Sequence, residues 1–225
     1  MLNLTQRRLT ICYVACALLV ASQSVATAAE MPNIIYIVAD DLGYGDLGCY
    51  GQEAIQTPHL DQMAVEGLRF TDHYAGHTVC RPSRLVFLTG KHTGHTAISG
   101  NSKYILPAGA VTVTSLLQDA GYHTGGVGKW ALGDNGTTGH PNKQGFDFYY
   151  GYLDQSDAHD YYPEVLYRNA ESERLPGNAN SGQRNVSSKK VTYAHARITG
   201  EALQFIERNH EKPFYLNLTW TIPHT

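Results

Sequence analysis

The chain reads as short, nearly continuous apolar runs separated by stretches with helical spacing. Asn33 to Ala39 is rich in β-branched residues, the pattern of a strand buried on both faces of a parallel sheet. It runs into two adjacent carboxylates, Asp40 and Asp41. Thr57 and Pro58 supply an N-cap and a first helical position, Leu60, Met63 and Ala64 fall on one face, and Gly67 stands just past the end. Arg69 to Tyr74 is expected to extend. A second helix is expected from about Thr114 to Ala120, with Gly121 as its C′ residue, followed by a Gly-rich strand from Tyr122 to Gly128 and by Lys129 where that strand ends. Ala194, Ile198, Ala202, Phe205 and Ile206 recur at helical spacing ahead of Pro213 and the apolar stretch Phe214 to Trp220, which reads as helix, then strand. Strands alternating with helices predict an α/β fold, a largely parallel, mixed sheet flanked by helices, with its unusual polar residues at the carboxyl ends of strands, where such sheets hold ligands.

The N-terminus departs from this pattern. Arg7 and Arg8 precede an apolar run, Leu9 to Ala21, which is too short for a mature membrane span, and Ala26-Thr27-Ala28 closes it with small residues. Residues 1–28 therefore read as a signal peptide cleaved after Ala28, and residues 29–225 as the exported part, periplasmic or secreted, with contact to a membrane only through the signal. Cleavage removes two of the 17 basic residues and none of the 20 acidic ones, so the net charge moves from −3 to −5. That balance supplies no basic stripe for nucleic acid. Cys12 and Cys16 leave with the signal, and Cys49 and Cys80 are too few for a disulfide framework.

The stretch Cys80-Arg81-Pro82-Ser83-Arg84-Leu85-Val86-Phe87-Leu88-Thr89-Gly90 carries the chemistry. Pro82 suits a first helical turn, Leu85 to Leu88 an apolar face and Gly90 a helix end, so Cys80 is expected at a helix N-terminus, where backbone N–H groups favour negative charge. Arg84, one turn on, is expected to aim its guanidinium at the same place. A thiol in that setting is acidic and reactive rather than a packing residue.

This stretch resembles the signature of the type I sulfatase family, C-x-P-S-R-x-x-x-L-T-G, at every fixed position. Three further segments are similar to the same family. Ile34 to Gly51 looks like its opening strand and paired aspartates, Gly128 to Gly133 resembles its G-K-W-H-L-G segment, and Phe214 to Thr225 looks like its strand ending in Pro-His-Thr. The resemblance implies an alkaline phosphatase-like fold and a sulfuric ester hydrolase in which a maturation enzyme oxidises Cys80 to formylglycine. One hydroxyl of the hydrated aldehyde attacks sulfur, and the other later expels sulfate by re-forming the aldehyde. It further implies that Asp40, Asp41 and the group at Cys80 ligate Ca²⁺, with Mg²⁺ as the alternative hard cation. Lys129 would neutralise formylglycine oxygens or sulfate, and His224 would contact sulfate or protonate the leaving oxygen.

The chain departs from the family at Ala131, where members usually carry a histidine that hydrogen-bonds the nucleophile; loss of one such donor costs on the order of 10²–10³ in rate. The resemblance covers the N-terminal part of a complete member, without the later portion that carries a second ligand pair, another lysine and a smaller domain. The expected partners are an aryl or carbohydrate sulfate ester and the maturation enzyme. Two alternatives stay open: a truncated or degenerate noncatalytic relative, and a phosphate or phosphonate ester hydrolase of the same architecture. The other ten of the 11 histidines, His159 among them, receive no role. None shows a compact zinc-ligand spacing.

Overall fold

The computed structural model describes residues 31–224, so the signal peptide expected over 1–28 lies outside the described residues. In chain order the elements are β1 (Ile34–Asp40), α1 (Pro58–Glu66), α2 (Cys80–Thr89), α3 (Val113–Asp119), β2 (His123–Lys129), β3 (Phe148–Tyr152), β4 (Val165–Arg168), β5 (Glu171–Arg174), β6 (Ala179–Asn180), β7 (Ser187–Lys189), α4 (Ala194–Asn209) and β8 (Phe214–Pro223), with short 3₁₀ turns in some of the connections. Six strands make one sheet in the order β1-β8-β2-β3-β4-β5, and β6 and β7 pair separately. The first four strands of that order run parallel. β4 and β5 then add antiparallel, so the sheet is mixed as expected.

The two faces of the sheet are covered by different helices because β8 alternates. Phe214, Leu216 and Leu218 pack on the side of α4, where Ile198, Ala202 and Phe205 complete one core. Tyr215 points to the other side, into a second core with Leu85 and Leu88 of α2 and with Trp130, Leu132, Phe146 and Tyr149. Period-2 alternation in the strand and 3.6-residue spacing in the helices thus meet on each face. The β4–β5 hairpin turns on Asn169 and Ala170, with Asn169 in the left-handed region at φ 54°, a conformation asparagine tolerates at tight hairpin turns.

Gly128 and Gly151 let β8, β2 and β3 come unusually close. A Cβ on Gly128, at φ +107°, would lie 2.1 Å from the Thr219 carbonyl oxygen, and one on Gly151 would lie 2.0 Å from the Gly128 carbonyl oxygen. Thr219 uses this proximity. Its hydroxyl donates to the carbonyls of Val127 at 3.1 Å and Lys129 at 2.8 Å, fastening the end of β2 to β8.

Three local expectations are corrected. β1 was expected to be buried on both faces, yet among the described residues it is an edge strand, and Ile35, Tyr36 and Ile37 are exposed because neither core extends over them. α1 forms where Thr57, Pro58 and Gly67 place it, but it buries none of its residues. Thr57 does not cap it through its side chain: the hydroxyl accepts from the Gly48 N–H at 2.8 Å and donates to Asp61 at 3.0 Å. Arg69 to Tyr74 forms no strand.

Candidate active site

The parallel order β1-β8-β2 brings three carboxyl ends side by side, and each ends on a polar residue singled out in the sequence. β1 ends at Asp40, β2 ends at Lys129, and His224 follows the last residue of β8. The β1–β8 register slips at this end, from Ala39 opposite Trp220 to Asp40 opposite Pro223. The His224 N–H then donates to the Asp40 carbonyl at 3.0 Å. An irregularity of this kind re-aims side chains at the end of a ladder, and it falls at Asp40, whose carboxylate meets Lys129 and Arg84.

α2 supplies the other half. Val79 is its N-cap, with no side-chain cap, and Gly90 ends it at φ 64°. Cys80 is the first helical residue, as the sequence predicted. Its Sγ lies 3.6 Å from Asp40 Oδ1. Arg84, one turn later and buried, donates Nη1–H to the Lys129 carbonyl at 2.5 Å and lies 3.4 Å from Asp40 Oδ2 through Nη2. Its Nε–H has no hydrogen-bond partner among the described residues. Lys129, 1 % exposed, places Nζ 2.8 Å from the same Asp40 oxygen.

Asp40 is thus a buried carboxylate with two cations on one oxygen and a sulfur beside the other. Burial pushes its pKa up, but Arg84, the hydrogen bond and charge of Lys129, and His224 outweigh that and hold it below the usual aspartate value. The anion is the stable form because its neighbours replace the water it has lost.

Asp41 behaves differently. Its backbone takes φ 64°, and its carboxylate turns outward toward His224, with Oδ2 3.5 Å from Nε2. The structure therefore assembles Cys80, Arg84, Lys129 and Asp40 around one centre, and Asp41 with His224 at its rim. Asp40, Asp41 and Cys80 do not form a compact ligand triad, and no group of three or more His, Cys, Asp or Glu side chains suited to a metal occurs among the described residues. The donor chemistry still fits a hard cation at the strand end, since Asp40 and Asp41 offer carboxylate oxygens there. Two residues supply only part of the shell such an ion takes.

Sequence reasoning missed three supports. Arg81 is buried; its Nε–H donates to the Ala131 carbonyl at 2.8 Å and its Nη1–H to the Ser102 carbonyl at 2.7 Å, tying two loops to the start of α2. The Tyr149 hydroxyl lies 2.8 Å from the carbonyls of both Gly128 and Tyr152, below Arg84. His159 stacks on His224 with ring centroids 4.6 Å apart and planes 11° apart. Burial, then the charges of Lys129 and His224, lower the His159 pKa. Only Arg81 carried a sequence signal, as the variable position inside the Cys80 motif. Ala131, standing where a histidine was expected, is buried at φ 74°.

The sequence model of the Sulfatase family matches residues 32–225. Human Arylsulfatase D is 41% identical over 151 residues, covering 60% of this chain and 26% of that protein. N-acetylgalactosamine-6-O-sulfatase of Bacteroides thetaiotaomicron is 46% identical over 136 residues, covering 56% of this chain and 27% of that protein. Among solved structures, the crystal structure of Ps i-CgsB superposes with a TM-score of 0.74 at 32% identity, covering 87% of this chain and 46% of that one. The chain thus spans about a quarter of the length of these two curated relatives and under half of that solved chain. No helix among the described residues is long and apolar enough to cross a membrane.

Proposed function

Because this chain belongs to the sulfatase family, we propose that it is the nucleophile-bearing part, residues 29–225, of an exported sulfuric ester hydrolase, the first 28 residues directing export. The observation that carries the reading is the position of Cys80 at the N-terminus of α2, 3.6 Å from a carboxylate that Lys129 and Arg84 hold ionised. Oxidised to formylglycine and hydrated, the side chain at position 80 would supply the attacking oxygen and the means of releasing sulfate.

The chain's own residues do the rest. Lys129 and Arg84, both buried, concentrate positive charge beside Cys80 and Asp40, so they favour an anionic ester and the charge that grows on its oxygens. Asp40 and Asp41 would hold Ca²⁺ or Mg²⁺, which polarises a sulfate oxygen when bound. His224, at the rim beside Asp41, is placed to give a proton to the leaving alcohol. A carbohydrate sulfate is the substrate class we favour over an aryl sulfate, because a 46%-identical relative is an N-acetylgalactosamine-6-O-sulfatase.

The test is to express the whole reading frame that carries this chain with a formylglycine-forming enzyme, take the mass of the Cys80 peptide, and assay sulfate and phosphate esters with and without Cys80→Ala. Conversion of Cys80, and turnover of sulfate esters that Cys80→Ala abolishes, is expected. Unmodified thiol with no turnover would favour the noncatalytic alternative, and a preference for phosphate esters would overturn the substrate class.

A further inference from the structure

His224 is held at three points, and the third belongs to a residue with no assigned role. Its backbone N–H is fixed to the Asp40 carbonyl, its Nε2 faces Asp41, and one face of its ring lies flat on His159. The His159 ring is only partly covered, with much of the residue open to solvent, so it is not packed there to fill a core. Its backbone is nonetheless clamped. It ends the 3₁₀ turn Asp157–His159, donates its N–H to the Ser156 carbonyl at 3.1 Å, and is flanked by two buried residues, Ala158 and Asp160. Ala158 sits in the core on the α4 side of the sheet. The Asp160 carboxylate accepts from the Ser187 hydroxyl at 2.6 Å and the Tyr162 N–H at 2.8 Å, and its carbonyl accepts from the Tyr152 hydroxyl at 2.8 Å. The segment following β3 is therefore rigidly attached, and what it presents to the solvent side of His224 is a flat ring.

We propose that His159 is a positioning residue: its ring face fixes the plane of the His224 imidazole, so that Nε2 stays directed at Asp41 and His224 meets the leaving oxygen in one orientation. A free imidazole rotates about two side-chain torsions, and the stack removes that freedom at the rim, where no core contact does so. Burial and neighbouring positive charge favour the neutral form of His159, in which two facing imidazoles do not repel. The role rests on His224 acting as proposed above, and it requires only the plane of the ring, not its nitrogens.

The distinguishing experiment uses His159→Ala, which deletes the platform, and His159→Phe, which keeps a flat ring without nitrogens. In NMR spectra of the chain, His159→Ala is expected to shift and broaden the His224 ring resonances, while His159→Phe leaves them sharp. In sulfate ester turnover, His159→Ala is expected to lower kcat by roughly 10- to 100-fold with little change in KM, the scale of loss when a reacting group is misaligned, and His159→Phe restores most of it. Unchanged His224 resonances in His159→Ala would overturn the proposal. A His159→Phe enzyme as slow as His159→Ala would do so as well, by showing that the nitrogens matter. Cys80→Ala, run in parallel, separates the two readings: if it leaves turnover intact the hydrolase assignment fails, while the resonance comparison still decides whether His159 holds His224.

Discussion

Asp40 is the residue on which the others converge. It accepts charge from Lys129 and Arg84, faces Cys80 through its other oxygen, and receives the His224 N–H on its carbonyl. A buried carboxylate is tolerated only while such partners remain, and removing one of a buried pair costs about 3–5 kcal/mol. Lys129→Met keeps the length of the side chain and deletes the charge, while Arg84 continues to offset Asp40. We therefore expect a loss near the lower end, about 3 kcal/mol in urea denaturation, and an unchanged midpoint would show that Arg84 alone suffices. Cys80 and Arg84 were legible in the sequence because helix geometry ties i and i+4 to one face. His159 was not, since nothing in its flanking residues announces that the chain returns after β3 to cover His224.

At the scale of elements, the site depends on how closely β2 approaches its neighbours. Gly128 has no room for a methyl group, because the Thr219 carbonyl lies where Cβ would be, and its φ lies in a range that L side chains rarely adopt. Gly128→Ala is expected to push β2 from β8 and to break the hold of Thr219 on the Lys129 carbonyl. The strain alone is about 1–3 kcal/mol, so the thermal midpoint should fall, with the Lys129–Asp40 contact loosened; a variant as stable as the parent would contradict this. The sequence marked β2 as Gly-rich and placed Lys129 at its end, and it located α2, α3, α4 and β8 to within a few residues, because capping signals and periodicity are local. It did not find β3, β4 or β5, whose aromatic and charged residues alternate too weakly and whose pairing is set by partners distant in the chain.

At the scale of the molecule, the sheet is asymmetric in its packing. The β8 and β2 strands lie between two cores, while β1 stands at the edge with Ile35, Tyr36 and Ile37 open to solvent. The periodicity of Asn33 to Ala39 expresses a preference for burial that β8 satisfies on one edge only. An open apolar edge strand is a template for pairing with another chain. The described chain is accordingly expected to self-associate as its concentration rises, and Ile37→Lys should shift gel-filtration elution toward the monomer; a monomeric parent at every concentration would refute this.

The bulge where β1 meets β8 gives that edge a reach beyond its own surface. Asp40, Asp41 and His224 all hang from one seam, where β8 alone pairs with β1 among the described residues. A change in the pairing of β1 with β8 at this point would therefore move the Asp40 carboxylate, the Asp41 carboxylate and the His224 ring together rather than one at a time.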